Sequence, residues 1–199
     1  MSTVIIHTPA LPEVDKRELL RYAGVRGDGR EYTKLVDELC AAICPRLAPR
    51  ACYAVLPVSY LGGTVSLGGI SVRSDSLATL LSESTQAVIF AATLGIEADR
   101  ALLRLGAVSP ARQLMANALC TERIEALCDS LCLELGDKLS EEGLRLTRRY
   151  SPGYGDLPLD FQRDIFSLLD CKRKIGLTLN ESLLMSPSKS VTAIMGIVG

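Results

Sequence analysis

Apolar residues recur at three- and four-residue intervals from Val14 to Tyr22 and again from Glu31 to Cys44, predicting two helices separated by the loop Gly24-Val25-Arg26-Gly27-Asp28-Gly29. The period then shortens. Ala51 to Tyr60 and Val65 to Val72 read as strands joined by Leu61-Gly62-Gly63. Ser74 through Leu81 reads as a short helix with Ser74 as its cap. The run Ala87-Val88-Ile89-Phe90-Ala91-Ala92, inside Gln86 to Thr93, predicts a buried strand that passes through Leu94-Gly95 into a helix from Ile96 to Leu105. Pro110 fits the first turn of a long helix reaching about Leu135. Leu144, Leu146 and Thr147 suggest one more strand, in which Arg145, Thr147 and Arg149 share one face while Leu144, Leu146 and Arg148 share the other.

Two places in this pattern carry candidate chemistry. On the wheel of the long helix, Cys120, Ile124, Leu131 and Leu135 define the apolar face, with Leu127 and Cys128 close by. Glu125 falls at the edge of that face, beside Leu114, Ala118, Thr121 and Cys132, whereas Arg123 and Ser130 point well away. A partly buried carboxylate there wants a partner. An ordinary boundary glutamate paired with a nearby arginine explains it equally well. The second place is Arg149-Tyr150-Ser151-Pro152-Gly153-Tyr154. Proline at the second position and glycine at the third make Ser151 to Tyr154 a type II turn, placing a backbone corner beside the Arg149 guanidinium. Such a corner offers free N–H and C=O groups, a bidentate partner for a carboxylate, and the ring and hydroxyl of Tyr154. A tight turn that ends a strand accounts for the same spacing.

Composition narrows the classes. With 199 residues, 48% of them hydrophobic, the chain can bury one substantial core, and residues 1–199 are read as one domain with residues 1–12 as a mobile N-terminal segment. A net charge of −1 argues against a nucleic-acid partner, and Lys172-Arg173-Lys174 reads as a solvated turn. Met1 to Ala10 has no basic stretch followed by an apolar core, and no apolar run approaches bilayer length, so a cytoplasmic protein without a membrane partner is expected. Seven cysteines include Cys40 and Cys44, and Cys128 and Cys132, four apart on helices, with Cys120 above the latter pair. Inside helical patterns they read as small hydrophobes in a reduced chain, and no metal is assigned to them. His7, the single histidine, lies in the N-terminal segment, which leaves a Ser-His or Cys-His pair little support. Gly62-Gly63 and Gly68-Gly69 match no phosphate-binding loop and read as hairpin turns or bulges.

The stretch from Arg149 to Ile197 resembles the S-adenosylmethionine-binding activation domain of cobalamin-dependent methionine synthase, in a free-standing form. Arg149, Pro152, Gly153 and Tyr154 match that family's R-x-x-P-G-Y turn. Gly176-Leu177-Thr178-Leu179-Asn180-Glu181-Ser182-Leu183-Leu184-Met185-Ser186-Pro187, followed by Ser190-Val191, is similar to its G-x-x-L-x-E-S-x-x-M-x-P-x-x-S-V segment. Arg123 to Leu131 resembles the family helix whose glutamate contributes to the ligand site, and Asp15 to Tyr22 is similar to the start of free-standing members.

The resemblance implies a single α+β domain with a mixed, largely antiparallel sheet flanked by helices. It also implies reductive remethylation of cob(II)alamin, with S-adenosylmethionine bound by this chain and cobalamin carried by a methionine synthase or another corrinoid protein. A flavodoxin-like or other donor would supply the electron, and the chain alone would transfer no methyl group. Arg149 would hold the ligand carboxylate, Glu125 would offset positive charge, the backbone at Ser151 and Gly153 would read the adenine or ribose edge, and Tyr154 would stand next to the reacting methyl. Fused members continue past the S-V segment into a region with a ligand-contacting aromatic, whereas this chain stops at Gly199; Tyr60 and Tyr150 are the conceivable substitutes. The family's acidic ligand residue near its start has no convincing match in the N-terminal half. Two other readings stay open: a scaffold or regulator that docks on a corrinoid protein, and a conventional S-adenosylmethionine-dependent methyltransferase, whose glycine-rich loop is not found.

Overall fold

In the computed structural model, which describes residues 3–199, the chain opens with strand β1 (Ile5–Ile6), helix α1 (Lys16–Tyr22) and helix α2 (Thr33–Ile43). Strands β2 (Arg50–Leu61), β3 (Thr64–Leu67) and β4 (Ile70–Arg73) follow, then helix α3 (Asp75–Leu80) and strand β5 (Gln86–Thr93). Helices α4 (Ile96–Gly106) and α5 (Pro110–Ser140) lead to β6 (Arg145–Leu146). Helices α6 (Gln162–Leu169) and α7 (Cys171–Ile175), a hairpin of β7 (Thr178–Leu179) and β8 (Met185–Ser186), and strand β9 (Ser190–Val198) complete the order.

The main sheet runs β4-β3-β2-β5-β9-β6, with β1 also on β2, through antiparallel pairings. Strand β5 is apolar almost throughout because both of its faces are covered. Val88, Phe90 and Ala92 join a core with α1, α2, α4 and α5, while Ala87, Ile89 and Ala91 join a second core with α3, α6 and α7. Each fully buried leucine or phenylalanine in these layers contributes about 1.5–3 kcal/mol relative to exposure. The result is an α+β fold in which one antiparallel sheet is sandwiched by helices.

Helix α5 supplies the longest wall. Ser109 caps it by accepting the Arg112 N–H, and Pro110 sits in its first turn, where a missing N–H costs nothing. Leu119, Cys120, Ile124, Leu127, Cys128, Leu131 and Leu135 are buried on its sheet-facing stripe. The helix continues past Leu135 because Leu139 still packs on the same core, and the chain turns away at Gly143, whose φ is +74°.

Two local expectations are corrected. Val65 to Val72 is two strands, because Gly68 and Gly69 turn the chain with φ of +59° and +105°. The N-terminal segment is fastened from Ile5 onward: Ile5 and Ile6 pair with Tyr53 and Cys52, the His7 N–H donates to the Ala51 carbonyl, and the His7 ring bonds Glu134. Residues 1 and 2 lie outside the described residues. Arg123, away from Glu125 on the wheel, is itself buried. It is 3% exposed, ion-paired with buried Glu122, and donates to the carbonyls of Pro12 (2.6 Å) and Glu13 (3.1 Å). Glu122 in turn accepts the Asp15 N–H. Neighbours on a helix do not normally face one another, yet both side chains bend to the same passing backbone.

Candidate functional site

The R-x-x-P-G-Y turn is formed and anchored. Tyr154 N–H donates to the Ser151 carbonyl (3.1 Å) and Gly153 takes φ of +86°, as a type II turn requires. Gly153 N–H donates to the Leu157 carbonyl, leaving the Ser151 N–H and the Gly153 carbonyl without a hydrogen bond among the described residues. Asp156, just beyond, accepts from the Ser74 hydroxyl (2.7 Å) and from the N–H groups of Asp75 and Ser76 at the start of α3. The donated Ser74 hydroxyl, with those of Ser76 and the backbone, holds the Asp156 carboxyl down to about 2.

What aims Arg149 is a bulge. Arg145 and Leu146 pair with Val198 and Ile197, but Tyr150 pairs with Ile194, one residue out of that register. Between them the Thr147 N–H donates to the Gly196 carbonyl (2.9 Å), while the Gly196 N–H donates to the Thr147 hydroxyl (2.8 Å) instead of a backbone oxygen. An extra residue on one strand reverses its alternation. The face assignment read from strict alternation is therefore corrected: Leu146 packs on the α5 core, Arg149 also turns toward α5, and Tyr150 enters the opposite core.

There the Arg149 Nη2 donates to Glu125 (3.1 Å) and to Asp129 (2.8 Å), which are one helical turn apart on α5. Burial works to lower the Arg149 pKa, but Cys128, Asp129 and Glu125 around it raise it above the ordinary value. Burial pushes the neighbouring thiols up, to about 12 for Cys128 and about 11 for Cys132, so at neutral pH they are protonated and not nucleophilic.

Two clefts meet at this pair, sharing Asp129 and Leu133. One, of about 640 Å³, lies between α5 and the segment from Pro12 to Tyr22, with Glu13, Asp15, Glu18, Glu122, Glu125 and Asp129 on its walls and Tyr22 as its aromatic. The other, of about 550 Å³, has Arg149, Leu146, Cys132 and Met195 among its lining. Of the first cleft's carboxylates, Glu122 is paired with Arg123 and Glu18 with Arg21, while Arg149 stands at its edge against Glu125; the remaining surplus of carboxylates, with that guanidinium, suits a cationic ligand bearing a carboxylate.

The profile of the family described as vitamin B12 dependent methionine synthase, activation domain, matches residues 74–197. The chain belongs to this family. Its fold is similar to that of the MetH reactivation domain in a crystal structure bound to AdoHcy, with a TM-score of 0.72 over 98% of this chain and 78% of that one, at 16% identity. No curated protein matches the chain by sequence.

Of the activation-domain residues read from the sequence, Glu125 and Arg149 are in contact. Ser151 and Gly153 stand at the turn that follows. Tyr154 is 71% exposed, edge-on to Tyr150 with ring centroids 5.9 Å apart, and lines neither cleft. Tyr150 is buried in the opposite core, and Tyr60 donates its hydroxyl to the Leu81 carbonyl, so neither replaces an aromatic at Arg149. Sequence reasoning missed Asp129, whose signal was its four-residue spacing from Glu125. It also missed Glu13, Asp15, Glu18 and Tyr22 as a cleft wall, because no local pattern shows that Arg123 draws this segment onto α5.

Proposed function

We propose that this chain binds S-adenosylmethionine along α5 and serves as the reactivation module for a cobalamin-dependent methionine synthase or related corrinoid protein. The observation that carries this reading is Arg149, at the head of the R-x-x-P-G-Y turn, held against Glu125 at the edge of an acidic cleft. Membership of the activation-domain family and the AdoHcy bound to the similar MetH domain support it.

The ligand's groups divide among the residues. Arg149 takes the carboxylate through paired N–H donors, and Glu125 offsets the sulfonium and ammonium charge. The free Ser151 N–H and Gly153 carbonyl offer a donor and an acceptor to the adenine or ribose edge. Tyr154 is exposed on the turn and lines neither cleft, so its role beside the reacting methyl rests on the match to the motif. Cobalamin, held by that partner, would supply the metal that accepts the methyl once an outside donor provides an electron; this chain would orient the sulfonium, and the nucleophile would belong to the metal.

Calorimetric titration of the full chain with S-adenosylmethionine tests the reading. Arg149→Ala removes a charge-assisted pair and is expected to weaken binding about 10- to 100-fold, and Glu125→Ala is expected to weaken it as well. Unchanged affinity in both variants removes the basis of these assignments, and methyl transfer by the chain without a corrinoid partner contradicts the module reading.

A further inference from the structure

Both carboxylates on Arg149 accept from the same nitrogen, Nη2, while Nη1 and Nε carry no hydrogen bond among the described residues. A guanidinium grips a carboxylate bidentately either end-on, through Nη1 and Nη2, or side-on, through Nε and Nη2. Each fork needs one of the two Nη2 hydrogens, and both are already given to α5. A ligand carboxylate therefore cannot be clamped at Arg149 until either Glu125 or Asp129 lets go.

We propose that Asp129 is the one that leaves: it is a placeholder that occupies the carboxylate subsite of Arg149 in the free chain and is displaced by the ligand's own carboxylate. This rests on the S-adenosylmethionine reading above. Side-chain exposure decides between the two acids. Asp129 is 70% exposed and regains water as it swings off, whereas Glu125, at 37%, would be left charged in the cleft without its cation. Geometry adds a second reason. Asp129 is, with Leu133, shared by both clefts and is the charged one of the two, so its carboxylate stands at their junction, where a ligand lying along α5 crosses from the acidic wall to the guanidinium. Asp129 thereby acts as a specificity filter. A ligand with a carboxylate replaces what it displaces, while a cation lacking one leaves Asp129 in place on Arg149 and forgoes the clamp.

The test compares S-adenosylmethionine with its decarboxylated analogue, S-adenosyl-3-methylthiopropylamine, by titration calorimetry on the full chain and on Asp129→Asn. The substitution is expected to tighten S-adenosylmethionine about two- to fivefold, the worth of an exposed ion pair, and to leave the analogue unchanged. Weaker binding of both ligands by a common factor would mean that Asp129 attracts the ligand cation, and loss of S-adenosylmethionine binding alone would make it a direct ligand contact; either outcome overturns the placeholder while sparing the reading beneath it. Absence of binding of both ligands to both proteins instead removes the S-adenosylmethionine reading, and the inference falls with it.

Discussion

Asp156 shows how a single side chain couples the motif turn to the rest of the molecule. Its carboxylate gathers the Ser74 hydroxyl and the first amides of α3, and its folded pKa is depressed to about 2 from 3.8. A depressed carboxylate stabilises the fold above its unfolded pKa, and that contribution disappears as pH falls from about 3.8 to about 2. Acid-unfolding curves followed by circular dichroism should therefore show wild type losing stability through this window more steeply than Asp156→Asn, and parallel curves would refute the link. At this scale the sequence was informative wherever the partner lay on the same element. Glu125 could be placed from its helix wheel and the turn from Pro152 and Gly153. Asp129 could not be recognised, because its role depends on an arginine that a bulge twenty residues later swings toward it.

The bulge is the element that decides the site. Strict alternation from Leu146 would have carried Arg149 away from α5; the extra residue at Thr147 returns it. Its hydroxyl satisfies the Gly196 N–H at the slip in register. Thr147→Val keeps the shape and removes that acceptor, leaving a buried donor unmatched, so a loss of about 1–3 kcal/mol is expected in urea unfolding. The same variant should weaken S-adenosylmethionine binding, because it loosens the device that aims Arg149; a variant as stable and as tight as wild type would show that the hydroxyl is incidental. Long elements such as α5 and β5 were legible in the sequence because periodicity accumulates over many residues. The run from Val65 to Val72 misled because two adjacent glycines interrupt it without breaking its apolar content.

Across the whole molecule, the buried Glu122–Arg123 pair binds the chain's beginning to its longest helix. Removing one partner of a buried ion pair typically costs about 4 kcal/mol. Arg123→Ala should lower stability by about that amount and, at temperatures where the variant stays folded, expose Pro12 and Glu13 amide neighbours to faster hydrogen exchange than residues of β5. Equal protection of both regions would mean that β1 alone holds the segment. The fastening escaped the sequence because charged neighbours on a helix ordinarily face different directions, and because the backbone groups they hold, the Asp15 N–H for Glu122 and the Pro12 and Glu13 carbonyls for Arg123, belong to residues more than a hundred positions away.

That fastening divides the candidate pocket between two hereditary accounts. The guanidinium, the turn and the helical acids fall within residues 74–197, which the family profile reads, whereas the opposing wall of Glu13, Asp15, Glu18 and Tyr22 falls outside them. On the proposed reading, substitutions along that outer wall would retune which cation is admitted, and how tightly, while every signature residue stays as it is. Two chains with identical signatures can therefore differ in ligand preference, and a hybrid that exchanges residues 12–22 between them would transfer that preference.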